Sequence, residues 1–233
     1  MEAAPELSII IPVLNEEKII DKLLQHLEAV CLNFNKTEII IVDGGSIDST
    51  VPIVRKSKAK LLFSEKGRAK QLNTGAKNAK GKVFYFLHAD TYPPKNYDEL
   101  IKIAIKQGFE SGCFRMQFDS KNPFLRFFGF LTRFNFLICR GGDQSLFVTK
   151  SLFEKTEGFN ENYIIYEDVE FIGRLFELSK FKVLSKKVIT SARKYRQKGW
   201  LKLQYHFGII HLKNFMGKGP EELHKYYQQN VVE

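Results

Sequence analysis

The residues with chemistry to offer are acids placed where apolar runs stop. Residues 82–87 form such a run, and it ends in His88-Ala89-Asp90. Side chains two apart on an extended chain share a side, so His88 and Asp90 can face one ligand. A carboxylate there suits a divalent cation carried by phosphate oxygens. Alternatively, Asp90 opens a turn that Pro93-Pro94 continues. Residues 37–42 end in Asp43, followed by Gly44-Gly45-Ser46, and a basic loop, Gly67-Arg68, lies between the two acids. Glu167-Asp168, with Glu170, starts a helical pattern. Such acids complement the helix dipole, or one of them acts as a general base. Arg140-Gly141-Gly142-Asp143-Gln144 is a tight polar loop. Its paired glycines let backbone approach a ligand closely, or they make a hairpin turn.

These groups need elements to hold them. Residues 7–13, 37–43, 59–63 and 82–87 read as four strands, the longer ones buried on both faces. Pro12 is expected to end the first. Asn15 is expected to cap a helix carrying Glu16 and Glu17 in its first turn and Ile20, Leu23, Leu24 and Leu27 on its apolar side. Ser49-Thr50 starts a second helix, and the segment after Gly67 a third. Alternating strands and helices through residue 91 predict a parallel sheet with right-handed crossovers. Ligands then sit beyond the carboxyl ends of the strands, where Asp43 and Asp90 are. Further on, 97–107 and 166–176 read as helices, and 112–118 and 146–148 as strands. Residues 181–184 and 187–189 read as short separate strands, and 221–229 as a closing polar helix.

Residues 124–138 hold six phenylalanines among leucines, with only Arg126 and Arg133 charged. The stretch reads as a core helix or helix pair, or as an apolar patch that meets a lipid-like acceptor or a bilayer surface. From Ser191 on, Arg193, Lys194, Arg196 and Lys198 alternate with Tyr195, Trp200 and Tyr205. Such a tail can clamp a diphosphate or sit at a headgroup layer. No RNA-binding signature accompanies it, so nucleic acid is not an expected partner. A chain of 233 residues, 44% hydrophobic, can bury one large α/β core, and a net charge of +10 suits an anionic partner. Cys31, Cys113 and Cys139 have no paired spacing, which excludes a disulfide framework or zinc site and points to a reducing compartment. With no secretory pattern at the start and no apolar run long enough to span a bilayer, a cytoplasmic protein is expected.

Taken together and in order, four motifs resemble those of family-2 glycosyltransferases. They are the opening 9–17, then 40–50 against the usual Val-Asp-Asp-Gly-Ser-x-Asp-x-Thr, then His88-Ala89-Asp90 at the Asp-x-Asp position, and Glu167-Asp168. The resemblance covers about residues 7–185. Residues 67–76, Leu87–Thr91 and 141–144 are further similar to a bacterial subgroup associated with radical-SAM and selenium-domain genes. The resemblance implies an α/β GT-A fold over residues 1–233, with a nucleotide-binding half at about 7–95, an acceptor half at about 96–190 and a basic aromatic tail at 191–233. It implies a nucleoside-diphosphate sugar donor, often a uridine one, and Mg²⁺ or Mn²⁺. It also implies transfer to a hydroxyl acceptor, with inversion; a lipid-linked acceptor and peripheral membrane contact stay open. Carried over, Pro12, Leu14, Glu16 and Ala89 would line the nucleotide pocket, Asp43 would contact base or ribose, and Arg68 would approach the base or diphosphate. Asp90 with His88 would bind the metal, and Asp168, beside Glu167, would be the base. Gly141, Gly142, Asp143, Gln144, Arg193 and Arg196 are candidates for the acceptor or diphosphate.

Two departures stand out: Gly44 replaces the second acid of the second motif, and His88 the first acid of Asp-x-Asp. The Gln-x-x-Arg-Trp motif of processive synthases is missing, which favours single transfer. A sugar nucleotidyltransferase would carry a glycine-rich basic loop after the first strand, and residues 12–17 have no glycine. A non-catalytic binding module would instead use residues 124–138 for a lipid or protein partner.

Overall fold

The computed structural model describes residues 4–232. Strands β1 (Leu7–Val13), β2 (Thr37–Asp43) and β3 (Lys60–Phe63) pair in parallel, and β4 (Val83–Phe86) flanks β1 on its other side. Helices α1 (Ile20–Val30), α2 (Thr50–Arg55) and α3 (Arg68–Lys77) make the crossovers. The second half holds β5 (Thr91–Tyr92), α4 (Tyr97–Lys106), β6 (Ser111–Phe118), α5 (Pro123–Leu131), β7 (Leu146–Thr149), α6 (Lys150–Lys155), α7 (Glu167–Leu178) and β8 (Phe181–Thr190). Three helices close the chain: α8 (Arg193–Lys198), α9 (Trp200–Phe215) and α10 (Pro220–Tyr227). One eight-stranded sheet results, in the order β3-β2-β1-β4-β7-β6-β8-β5, with β7 antiparallel to β4 and β6.

Both faces of the sheet are covered. Ile9, Ile11 and Tyr85 pack with Leu23 and Leu27 of α1 and Tyr97 of α4 on one face. Ile10, Ile40 and Phe84 pack with Leu72 of α3 and Phe171 of α7 on the other. This is why these strands are near-continuous apolar runs. Helix α3 lies close enough to β1 that a Cβ on Gly75 would stand 2.3 Å from Ile10 Cγ2.

The chain leaves β1 for β2 and β3, then returns to place β4 on the opposite side of β1. Strand order therefore reverses between β1 and β4, which opens a crevice at their carboxyl ends. The β1–β4 ladder stops at Ile10 and Phe86. Pro12 lies just past that point, so its missing N–H breaks no pairing there. The first strand thus does not end at Pro12; it continues to Val13 along β2.

Other expectations change as well. Asn15 does not cap α1, which starts only at Ile20 and has no side-chain cap. Asn15 is left-handed at φ 56°. Its Oδ1 accepts from the Ile47 amide, and its own amide donates to Ser46 Oγ at 2.8 Å. The amides of Glu16 and Glu17 bond Thr50 Oγ1 and Asp48 Oδ2. The first two motifs are therefore knitted to each other before either meets a ligand. The pair of short strands expected at 181–189 is one strand, β8, parallel to β6 with an irregularity at Phe114/Arg115. The Phe-rich segment is not a core helix: α5 buries only Leu125 and Gly129.

Candidate active site

Two cavities meet in the β1–β4 crevice. One, of about 1250 Å³, lies between Leu14, the start of α3 at Gly67 and Arg68, and α10 at Glu221. The other, of about 1310 Å³, has His88, Ala89, Asp90, Asp143, Asp168 and Arg193 in its wall, with Phe128, Leu131 and Phe207 among its apolar lining. Pro12, Glu16 and Arg68 border both, so the two are lobes of one space.

Arg68 is the first residue of α3, reached through Gly67 at φ 143°. Its Nε lies 2.7 Å from Glu167 Oε1, and the Glu167 side chain is 1% exposed. Burial pushes the Glu167 carboxyl up, and the Arg68 charge opposes that push. Glu167 in turn raises the Arg68 guanidinium, so the cation is locked. Glu167, a catalytic candidate beside Asp168, pairs with Arg68. Asp168, its chain neighbour, lies on the wall of the second lobe. The divergence follows from the helix itself, which turns consecutive side chains by about 100°. Tyr166, just before α7, is held left-handed at φ 70°, a conformation that costs an L residue about 1–2 kcal/mol. Tyr166 Oη bonds His211 Nδ1 at 2.7 Å, tying the start of α7 to α9.

At the end of β4, the His88 ring Nδ1 stands 3.4 Å from Asp143 Oδ1. Burial, and then the charge of Asp143, push the Asp90 carboxyl up; His88, Lys194 and Arg193 pull it back. Asp143 is half exposed. Against desolvation, the His88 ring and the charges of Lys194 and Arg68 hold its carboxyl below the usual range. Two carboxylates on one wall, Asp90 and Asp143, offer the oxygen ligands that a hard divalent cation takes. Among the described residues no three such side chains converge as a ready cage. A cation held here would complete its shell with diphosphate oxygens, as Mg²⁺ commonly does.

The remaining candidates divide. Glu16 meets Arg193 through both carboxylate oxygens, at 3.2 and 3.3 Å, which ties the first loop to α8. Arg196 lies outside both cavity walls and pairs with Asp119 at 3.0 Å. Asp43 Oδ1 accepts from the Gly45 and Ser46 amides, while its Oδ2 is buried without a hydrogen-bond partner among the described residues. Gly141 borders the second lobe. Residues Gly142–Gln144 form a 3-10 turn rather than a hairpin. Gln144 turns inward, accepting from Arg140 Nη1 at 2.7 Å. Arg140, itself buried, also donates to the Thr132 and Phe134 carbonyls and so braces the loop that presents Asp143.

Sequence reasoning missed Tyr166 and His211. No spacing signal joins residues so far apart, although Tyr166 directly precedes the acid pair. It also missed Gln71, whose Nε2 donates to the Val13 and Val42 carbonyls. A Cβ on Gly44 would meet that amide at 3.0 Å, so Gln71 fills the space beside the position where the family usually has its second acid.

Comparison with known proteins agrees with this fold. Residues 8–153 match the family described as glycosyl transferase family 2. A probable glycosyltransferase, YdaM, of Bacillus subtilis is 26% identical over 203 residues, covering 76% of this chain and 48% of its own length. An undecaprenyl-phosphate 4-deoxy-4-formamido-L-arabinose transferase of Pseudomonas savastanoi is 33% identical over 113 residues, covering 44% of this chain and 33% of its own. The chain thus spans between a third and a half of the length of these relatives. Among solved structures, the mannosyltransferase PcManGT from Pyrobaculum calidifontis, in complex with GDP-Man and Mn²⁺, superposes with a TM-score of 0.69 at 18% identity, over 97% of this chain and 70% of that one. S. aureus TarS with UDP-GlcNAc gives 0.65 at 22%, over 80% and 58%. At these identities the superpositions establish the fold. The chain has the GT-A fold and belongs to glycosyltransferase family 2.

Proposed function

We propose that the protein transfers a single sugar from a nucleoside-diphosphate sugar, uridine-linked, to a hydroxyl of a lipid-linked acceptor, with inversion. The observation that carries this reading is the shared border of the two lobes. Arg68 faces both, with Leu14 and Glu16 in the first and Asp90, Asp143 and Asp168 in the second. The donor's base and ribose take the first lobe, and its diphosphate lies by Arg68 and Lys194. Asp90, with His88 beside it, would hold a divalent Mg²⁺ or Mn²⁺ together with the donor's own oxygens, and the ion would supply Lewis-acid stabilisation of the diphosphate charge. Asp168 takes the acceptor hydroxyl proton as its oxygen bonds the anomeric carbon. The bond to the diphosphate breaks on the opposite face, and its electron pair leaves with the diphosphate, beside Arg68. Glu167 holds Arg68 in place, and the α9–α10 cover keeps water from the donor.

The undecaprenyl-phosphate transferase among the relatives and the apolar lining of the second lobe support a lipid-linked acceptor. The radical-SAM-associated subgroup and the division at about residue 95 into donor and acceptor halves are part of the same proposal. The test is Asp168→Asn. Transfer should fall by about 10²–10⁴-fold while nucleoside-diphosphate binding stays unchanged. Undiminished transfer would remove Asp168 as base and favour an acceptor that is already anionic, such as a lipid phosphate.

A further inference from the structure

The apolar wall of the second lobe runs out onto the molecular surface. Ile138, after α5, and Phe215, of α9, both line the lobe, yet they are 76% and 89% exposed. Beyond them Phe124, Phe127, Phe130, Phe134 and Phe136 are exposed along α5 and the loop that follows. Phe124 stacks on Trp200 with centroids 4.0 Å apart, so α5 and α9 make one continuous face. Folding does not require this exposure. Asn122 caps α5 and Pro123 starts it, so its helical form has a local cause while its aromatic side lacks cover.

Charge supplies the second observation. The chain has 26 acids, yet none occurs in residues 120–142 or 191–219, the two segments that build this face. The exposed charges there are cations, including Lys121, Arg126, Arg133 and Lys202. The Arg133 guanidinium lies 4.5 Å over the Phe130 ring, which keeps an apolar stem and a charged head at the same level. Exposed rings beside cations, on segments that hold no acid of their own, match an interfacial surface.

We propose that this face docks onto an anionic phospholipid bilayer, with the phenylalanine rings in the headgroup–acyl boundary and the cations at the phosphates. Charge complementarity selects this occupant: a bilayer offers diffuse negative charge over apolar depth, whereas a protein partner would have to match each cation. The docking rests on the surface alone. Only its consequence rests on the transferase reading: the second lobe opens at Ile138 and Phe215 toward the bilayer, so an amphiphilic acceptor reaches Asp168 without crossing water.

The test is flotation of the full chain with vesicles of phosphatidylcholine, with and without phosphatidylglycerol. The proposal expects partition onto the anionic vesicles only. Phe127→Asp/Phe136→Asp should lower partition at least tenfold, and Arg126→Gln or Arg133→Gln about fivefold each, one cation near the surface being worth about 1 kcal/mol. These side chains are exposed, so the variants should fold; a circular-dichroism spectrum and a denaturant midpoint at the wild-type level check this. No partition of the wild type, or equal partition of the Phe127/Phe136 variant, overturns the proposal. So does a wild-type dimer that the same variant turns into a monomer with no vesicle binding, since the face would then join two copies. Vesicle binding without nucleotide binding would retain the docking and discard the transferase reading.

Discussion

Arg68 and Glu167 form a 2.7 Å ion pair that joins the first turn of α3 to the first turn of α7, and so the first half of the chain to the second. Glu167→Gln leaves the Arg68 charge without its partner. Arg68 keeps part of its side chain in water, so the expected cost is about 2 kcal/mol, below that of breaking a fully buried pair. Denaturant unfolding reads it, as a lower midpoint with an unchanged slope. Transfer should fall less than in Asp168→Asn, because the proton acceptor remains.

Asp90 sets a site requirement against stability. Its carboxyl is pushed up by burial and by Asp143. Above the ordinary carboxylate value of 3.8 the folded state therefore holds a proton that the unfolded chain has released. Stability falls as pH rises through that window. Asp90→Asn should be more stable than wild type at neutral pH and flatter in its pH dependence, while losing Mn²⁺-supported binding of a nucleoside diphosphate. A variant no more stable at neutral pH would show that Asp90 is not destabilised by its surroundings.

His211 should make the α9 cover pH-sensitive. Burial depresses its pKa below 6.5, with Asp168 pulling the other way. The released or unfolded form then binds a proton that the packed form does not, so the cover loses stability as pH falls below that value. Amide-exchange protection factors across residues 200–215, corrected for the intrinsic pH dependence of exchange, should fall between neutral and mildly acidic pH. In His211→Phe the change should vanish, and hydrolysis of the sugar nucleotide should rise relative to transfer.

Gly44→Asp restores the acid usual at that position but brings a Cβ within 3.0 Å of Gln71. The crowding should cost about 1–3 kcal/mol. A second change, Gln71→Ala, should recover part of it. The double-mutant cycle should therefore be non-additive.

Much of this arrangement was legible in the sequence for one reason. Strands β1, β2 and β4 are buried on both faces, so their apolar runs stop where the sheet stops, and Asp43, His88 and Asp90 mark those ends. The turn at Asn15 was not legible, because its hydrogen bonds go to Ile47 and Ser46 on another loop rather than to its own helix. The pairing of Glu167 with Arg68 and of Tyr166 with His211 is likewise tertiary. The Phe-rich stretch was ambiguous for a different reason: hydrophobic pattern records which face is apolar, not whether anything covers it.

The most direct measurement of the central claim is calorimetric titration of the full chain with nucleoside diphosphates and their sugars, with and without Mn²⁺. The account predicts Mn²⁺-dependent binding of one diphosphate and its sugars, unchanged in Asp168→Asn and lost in Asp90→Asn. Folded protein that binds none of them would contradict it, and would leave the chain as a GT-A scaffold without donor chemistry.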